Sequence, residues 1–224
     1  MNRSRIGALV VALCLVPLAS AQVLVLTEGQ FWVYAEARAI SAFDTDGDSG
    51  TRMQDSFSAS ASAFASENDP DLGSHSAGAS GFASWTLQAL GQTSTLSGGV
   101  SGSAESVSGG LDASAMGGGS VSLTFMVTDR ANGTISSSGT AASDLSIYDG
   151  LSFVPFITGF NGTQFLSMEA GLYRWDSAAV ATVGGTNVAS ASVGYDITMT
   201  AVPEPATMLA LSLGALGLLA RRRA

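Results

Sequence analysis

The central part of the chain alternates between apolar and polar or small residues with a period of two, and this alternation constrains the fold most. It is clearest at 121–128, where Val, Leu, Phe and Val are separated by Ser, Thr, Met and Thr. It recurs at 193–200, around 83–89 and at 31–39, although residues 35–40 also allow a helical turn. Because successive side chains of a strand point to opposite faces, these segments predict strands with one buried face.

Glycine and serine are frequent throughout this region, and no long stretch has helical periodicity. The sequence therefore predicts an all-β fold, an antiparallel two-sheet sandwich with a jelly roll as one form of it. The Asn-Gly pairs at 132–133 and 161–162 predict two-residue hairpin turns. The glycine-rich segment 98–119 is predicted to be a long loop or a short-stranded edge. The alternating Ser and Ala of 58–66 would let two sheets pack closely, or could be loosely ordered.

Charge and cysteine content exclude several classes of function. All 18 acidic residues but only four arginines lie between residues 22 and 204, which leaves this region at −14. Such a surface repels phosphate backbones, so we expect no nucleic-acid binding. The chain has no lysine, and its single cysteine, Cys14, lies in the N-terminal apolar stretch. A mature body without a thiol can form no disulfide and no cysteine metal site.

The N-terminal segment has the three parts of a secretion signal. Two arginines precede the apolar stretch 6–18, and Ala19-Ser20-Ala21 supplies the small residues that signal peptidase reads. We predict a signal peptide at residues 1–21. A buried N-terminal helix and a lipoprotein acylated at Cys14 are the alternatives, but Leu13 is larger than a lipobox tolerates.

The C-terminal segment also has three parts. Val202-Pro203-Glu204-Pro205 is followed by the uncharged apolar segment 206–220 and then by Arg221, Arg222 and Arg223. The prolines separate this tail from the body. As a helix, 15 residues span only ~22 Å of a hydrocarbon core ~30 Å thick, so membrane insertion is marginal. The three arginines would stop transfer and hold that end in the cytoplasm.

This tail resembles the PEP-CTERM sorting signal of Gram-negative bacteria, with which it shares three parts in fixed order over residues 202–224. The resemblance implies that Pro203, Glu204 and Pro205 are recognised by an exosortase, which cuts near the motif. It implies an inner-membrane-anchored precursor that later reaches the cell surface or the extracellular space. The family occurs in bacteria that make exopolysaccharide and biofilm. A plain C-terminal membrane anchor is the alternative.

One acidic segment has ligand spacing for a metal ion. Asp44, Asp46 and Asp48 alternate like the first three ligands of a calcium loop, and Asp55 falls at the twelfth position. The segment departs from the EF-hand pattern, because Ser49 occupies the glycine position and the twelfth residue is aspartate. We predict weak calcium binding as one interpretation, and an acidic surface turn as the other.

No catalytic residues are predicted. The only histidine, His75, lies in a polar stretch that is typical of a solvated loop. We expect four aromatic residues to lie in the core, namely Trp32, Trp85, Trp175 and Tyr173. The alternative is that they form a platform on which sugar rings stack. Paired carboxylates for sugar hydrolysis cannot be recognised from one sequence, because pairing across strands is not visible in it.

These features predict a three-part organisation: a signal peptide at 1–21, a β-sandwich body at 22–201 and a sorting tail at 202–224. The predicted function is that of a non-enzymatic structural or adhesive protein exported to the cell surface and linked to exopolysaccharide or biofilm. A polysaccharide-binding β-sandwich module is the first alternative, and a secreted hydrolase is the second.

Overall fold

The computed structural model describes residues 22–71, 73–108 and 113–203, and these residues form twelve strands and no helix. The strands are β1 (Leu24–Ala39), β2 (Ala42–Arg52), β3 (Ser56–Asp69), β4 (Gly73–Leu90), β5 (Thr93–Val107), β6 (Ala113–Val127), β7 (Ala131–Gly139), β8 (Ser143–Tyr148), β9 (Phe153–Phe160), β10 (Gly162–Met168), β11 (Gly171–Gly184) and β12 (Asn187–Ala201). The predicted all-β class is confirmed for this part of the chain.

The strands form two six-stranded sheets that pack face to face. Sheet A has the order β2-β1-β6-β11-β8-β9, and sheet B has the order β10-β7-β12-β5-β4-β3. All neighbouring strands are antiparallel. The predicted antiparallel sandwich is thus confirmed, although twelve strands exceed the eight of a jelly roll. The predicted signal peptide at 1–21 and membrane helix at 206–220 lie outside the described residues.

The period-two segments have one buried face, as the sequence predicts. In β6 and β12 the inward-facing residues are Val121, Leu123, Phe125, Val127, Val193, Tyr195, Ile197 and Met199, all of them buried. Strand β1 continues to Ala39 without a helical turn, and its hairpin to β2 turns at Ile40, which has a φ of 53°. The apolar alternation therefore determines which face of each strand enters the core.

Neither Asn-Gly pair forms the predicted hairpin. Asn132 and Gly133 lie inside β7, where a side chain on Gly133 would collide with the carbonyl oxygen of Thr198. Gly162 does turn the chain, with a φ of 132°, but β9 and β10 belong to different sheets and do not pair. Gly133 thus allows a neighbouring backbone to approach closely, and Gly162 allows the chain to cross from one sheet to the other.

The prediction for segment 98–119 is also wrong, because residues 98–107 and 113–119 belong to β5 and β6 in the interior of the sheets. Gly102 and Gly117 face the opposite sheet there, together with Gly81 of β4 and Gly119 of β6. A Cβ on any of these four would collide with a backbone carbonyl oxygen across the sandwich. We call this set of four glycines the glycine seam, since it lets the two sheets approach backbone to backbone.

The core has two halves of different composition. The aromatic half is filled by large side chains, including Phe31, Trp85, Leu96, Phe125, Trp175, Tyr195 and Ile197. The alanine half continues beyond the glycine seam with Ala37, Ala63, Ala65, Ala77, Ala79, Ala104, Ala115 and Ala181. Alanine projects only a methyl group, so the sheets must lie close together for this half to be packed without voids. The predicted close packing of the serine-alanine segment is realised here, since β3 supplies Ala63 and Ala65.

Candidate functional site

The acidic segment with calcium-loop spacing is the edge strand β2, not a loop. Asp44, Asp46 and Asp48 occupy alternate positions on its inward face, and Asp55 lies in the connection between β2 and β3. Residues two apart on a strand are separated by about 6–7 Å. The three carboxylates are therefore spread along the edge of the sandwich and do not converge as in a calcium loop.

Two of these carboxylates connect the edges of the two sheets. The Oδ2 atom of Asp46 accepts a hydrogen bond from the backbone N–H of Ser62, and that of Asp44 accepts one from Phe64, each at 2.9 Å. Both donors belong to β3, the edge strand of sheet B. Unpaired N–H groups on an edge strand invite pairing with another chain. The aspartates satisfy two of these groups and close this side of the sandwich.

No group of three or more His, Cys, Asp or Glu side chains within 22–71, 73–108 and 113–203 is arranged to hold a metal ion. The predicted calcium site at Asp44, Asp46, Asp48 and Asp55 stays a prediction. The contacts of Asp44 and Asp46 with β3 give these two carboxylates a structural role that the ligand spacing alone did not indicate.

His75 is not a solvated loop residue, as its polar surroundings had suggested. It lies in β4 with 1% of its surface exposed, and its Nδ1 is 3.3 Å from the Oγ of Ser108. Its Nε2 has no hydrogen-bond partner among the described residues. The position of His75 in the sequence could have indicated its burial, because it precedes Ala77 and Ala79 on the inward face of the same strand.

Three of the four singled-out aromatic residues belong to the core, as predicted, and one does not. Trp85, Trp175 and Tyr173 are buried, whereas Trp32 is 37% exposed on the outer face of β1. Its ring stacks with that of Tyr34, with the centroids 5.6 Å apart and the planes 12° from parallel. The Tyr34 hydroxyl donates a hydrogen bond to Glu36, which raises the pKa of Tyr34 and fixes its ring.

A groove of about 360 Å³ crosses the outer face of sheet A beside Trp32. Its sides and floor are formed by Gln30, Trp32, Ser120, Ser122, Asp144, Asp176 and Ala178. The strand register explains this grouping, because Asp144, Asp176, Ser122 and Gln30 lie opposite one another on β8, β11, β6 and β1. The groove thus has an aromatic wall, a floor of small residues and an acidic wall.

The outer face of sheet B is covered with hydroxyl groups. Serines lie opposite one another across four strands at Ser62, Ser80, Ser103 and Ser190. A second row contains Thr134, Thr198 and Thr95. We call these rows and the Ser and Thr residues between them the hydroxyl face. Some of its members bond to each other across strands, as do Ser80 and Ser103 at 2.8 Å between their Oγ atoms and Thr95 and Thr198 at 3.0 Å.

The chain leaves the sandwich where its predicted sorting motif begins. Strand β12 ends at Ala201, and the N–H of Val202 donates a last hydrogen bond of 2.9 Å to the carbonyl oxygen of Arg130. Pro203 is exposed. The other predicted tail residues, namely Glu204, Pro205, Arg221, Arg222 and Arg223, lie outside the described residues. Among the described residues, no helix has the length and apolar character needed to cross a bilayer.

Comparison with protein families matches residues 201–223 to the PEP-CTERM protein-sorting motif. The chain carries a PEP-CTERM sorting signal. The resemblance seen in Pro203-Glu204-Pro205, the apolar segment and the terminal arginines is therefore confirmed. No curated protein and no solved structure matches the chain.

The PEP-CTERM motif indicates an exported protein that is processed by an exosortase and passes through a membrane-anchored precursor. The match covers the tail and the last residue of β12, and none of the two sheets before it. A PEP-CTERM motif directs where a protein goes. The role of the sandwich at its destination depends on its own surfaces.

Proposed function

We propose that this PEP-CTERM protein is a non-enzymatic structural or adhesive component of the cell surface or extracellular matrix, retained there by contact with exopolysaccharide. The observation that carries the proposal is the hydroxyl face of sheet B. Rows of serine and threonine extend across its strands, and the charged residues in the outward positions of β5 and β12 are few, namely Glu105 and Asp196.

A surface of this kind suits a hydrated polymer. Each hydroxyl group can both donate and accept hydrogen bonds, as the hydroxyl groups of a polysaccharide do. A single contact of this type is weak, because it replaces a hydrogen bond to water. Rows such as Ser62, Ser80, Ser103 and Ser190 offer many such contacts side by side, and linked weak contacts produce strong overall retention.

The contacts around the groove carboxylates favour a non-enzymatic role over hydrolysis. Asp144 and Asp176 are directly opposite on neighbouring strands, a spacing compatible with a carboxylate pair. However, Asp144 is exposed and Asp176 is partly exposed, whereas a general acid of this class is kept protonated by an apolar pocket. Asp144 accepts a hydrogen bond from the N–H of Gly159, and Asp176 forms an ion pair with Arg174.

The proposal can be tested in the host by replacing the gene with variants and measuring where the protein accumulates. The wild type should be found in the exopolysaccharide matrix. A variant with alanine at Pro203, Glu204 and Pro205 should accumulate in the membrane fraction as an uncut precursor. A variant with alanine at the four serines of the row should be processed normally and released into the medium.

Two results would contradict the proposal. Equal matrix retention of the wild type and the four-serine variant would remove the hydroxyl face as the adhesive surface. Shortening of the purified exopolysaccharide by the wild-type protein, measured as a shift in polymer size, would replace a structural role with a hydrolytic one.

A second candidate function is a polysaccharide-binding module with a defined site. The exposed Trp32–Tyr34 stack beside a groove favours it, because aromatic residues next to hydrogen-bonding side chains are typical of ligand sites. The two candidates are compatible, since one protein can adhere through one sheet and bind a chain segment on the other.

A further inference from the structure

We infer that the groove on the outer face of sheet A binds an uncharged polysaccharide chain, with Trp32 as the surface on which a sugar ring packs. The inference rests on the proposed function, from which it takes exopolysaccharide as the partner. It adds the place of binding, the residue that provides the contact and the charge class of the polymer.

Trp32 differs from the other tryptophans of the chain. Trp85 is 1% exposed and Trp175 is fully buried, whereas 37% of Trp32 is open to solvent. The ring is held by its stack with Tyr34, and Tyr34 is held by Glu36. Two side chains are thus ordered before any ligand arrives, which lowers the entropy that binding must overcome.

The strands on both sides leave the aromatic pair uncovered. Tyr34 lies opposite Gly47 on β2 and Gly118 on β6. Trp32 lies opposite Ser120, which in turn lies opposite Ala178. The residues directly opposite the rings on these strands are therefore glycine and serine, and Ala178 and Val180 lie one strand further.

The opposite wall presents hydrogen-bond acceptors in fixed positions. One oxygen of Asp144 accepts the N–H of Gly159 at 2.7 Å, and one oxygen of Asp176 accepts the Nε–H of Arg174 at 2.9 Å. The second oxygen of each carboxylate makes no hydrogen bond to the described residues around it. These two oxygens can accept hydrogen bonds from the hydroxyl groups of a sugar.

The combination of walls selects the ligand class. The C–H groups on one face of a sugar ring carry a partial positive charge and suit the negative face of an aromatic ring. The residues that line the groove include Asp144 and Asp176 and no lysine, arginine or histidine. Asp176 is paired with Arg174 at 2.9 Å, whereas Asp144 has no cation partner among the described residues. An acidic polysaccharide would therefore still meet an uncompensated negative charge, which a neutral chain avoids. The groove is open, and its volume of about 360 Å³ is near the lower limit for ligand sites, which is about 300 Å³. This size suits a short segment of a longer polymer.

The inference can be tested with the full chain and the host's exopolysaccharide, separated by ion exchange into neutral and acidic fractions. Migration through gels that contain each fraction gives a dissociation constant. We compare the wild type with Trp32→Ala and use Phe43→Ala as the matched control. Phe43 is 61% exposed and lies opposite Arg38 on the outer face of sheet A, so it belongs neither to the groove nor to the hydroxyl face.

We expect the neutral fraction to retard the wild type and Phe43→Ala equally and to bind Trp32→Ala about tenfold more weakly, the loss of one aromatic contact. The neutral fraction should also shield one tryptophan from acrylamide quenching. That tryptophan is Trp32, because Trp85 and Trp175 are already buried. Equal unfolding midpoints of the three proteins would exclude a folding defect as the cause.

Several outcomes would overturn the inference. They are equal retardation of the wild type and Trp32→Ala, a preference for the acidic fraction, or no retardation of the wild type by either fraction. The proposed adhesive role is judged separately, by matrix retention in cells and the four-serine variant. If Trp32→Ala stays in the matrix and binds the neutral fraction normally, the groove is not the binding site. The proposal of adhesion through the hydroxyl face would then remain valid.

Discussion

The two halves of the sandwich hold their sheets together by different means. In the aromatic half, large side chains from both sheets meet, as when Phe57 packs against Phe31 and Trp85 with centroid distances of 4.4 and 4.5 Å. In the alanine half, little side-chain volume separates the sheets, and the glycine seam lets the backbones touch. Removing atoms should therefore damage the first half, and adding atoms should damage the second.

The open edge of the sandwich, where β2 faces β3, differs between the halves in the same way. Beside the aromatic half, the Arg52 guanidinium lies 5.5 Å from the ring centroid of Phe31 and 5.8 Å from that of Phe57. Beside the alanine half, Asp44 and Asp46 reach the backbone of β3 directly. A short carboxylate side chain can bridge the two strands there because the sheets are close together. The distance between the sheets thus decides which chemistry closes their edge.

The largest effect is expected from truncation in the aromatic half. Trp175→Ala removes a fully buried ring that contacts Tyr195 and Phe160, and should reduce the free energy of unfolding by about 3–5 kcal/mol. Trp175→Phe should cost only about 1 kcal/mol, since it keeps most of the volume and Nε1 has no hydrogen-bond partner among the described residues. Urea unfolding monitored by circular dichroism measures both. Similar losses for the two variants would show that ring volume does not stabilise this half.

The next effect is expected from enlargement in the glycine seam. A Cβ on Gly117 would collide with the carbonyl oxygens of Ser80 and Ser103, and backbone atoms cannot rotate away. Gly117→Ala should therefore cost about 3 kcal/mol, the upper end for overpacking. Gly184→Ala is the matched control, because Gly184 has open space around its Cβ position. The control should be neutral or slightly stabilising in the same urea experiment. Equal stability of the two variants would mean that the sheets can separate without cost.

The period-two alternation predicts the fold class because burial on one face of a strand is a local property of the sequence. The distance between the sheets, in contrast, depends on residues that are far apart in the sequence. Gly102 and Gly117 lie on different strands, and each is needed only because the other sheet approaches at that point. A single sequence shows both residues as ordinary glycines, and turn propensity then assigns them to loops. Asn132-Gly133 has turn propensity as well, but Gly133 makes room for the Thr198 backbone inside a strand.

The sorting tail could be recognised from the sequence because its three parts are contiguous. The groove could not, since Asp144, Asp176, Ser122 and Gln30 come together only through the register of four strands. Its aromatic wall was missed because Trp32 was expected in the core, although Phe31 and Val33 already occupy the apolar face of β1. His75 was misassigned because serines surround it, although its register with Ala77 placed it inside.

A smaller effect is expected at the edge of the alanine half. Asp46→Ala removes the hydrogen bond to the N–H of Ser62 and should cost about 1 kcal/mol, because the site is exposed to solvent. Asp48→Ala is the matched control: it lies two residues along on the same face, has the same charge and accepts no hydrogen bond from the described residues. Thermal unfolding of both variants measures the difference. If Asp48→Ala is as destabilising as Asp46→Ala, stability depends on the negative charge of the edge and not on the hydrogen bond between Asp46 and Ser62.

The smallest effect concerns Glu67, which fastens the β1–β2 turn to β3 at the end of the alanine half. Hydrogen bonds from the hydroxyl and N–H of Ser41 and from the N–H of Ala42 lower the pKa of Glu67 below its usual 4.5. A carboxyl group with a lowered pKa in the folded state stabilises the protein above its ordinary pKa, and this contribution is lost as the pH falls through the lowered value. Glu67→Gln should therefore melt at a lower temperature than the wild type at pH 7, and the gap should close on acidification below pH 4.5.

Glu105→Gln is the control for this measurement, because Glu105 is exposed on β5 and accepts no hydrogen bond from the described residues. Its melting temperature relative to the wild type should show no comparable gap at pH 7. A gap for Glu67→Gln that persists unchanged at pH 3 would mean that the loss comes from the shape of the amide and not from the charge of the carboxylate. The turn would then be fixed by the Ile40 backbone and the Ala39–Ala42 pairing alone, and the edge of the alanine half would depend on Asp44 and Asp46 without help from Glu67.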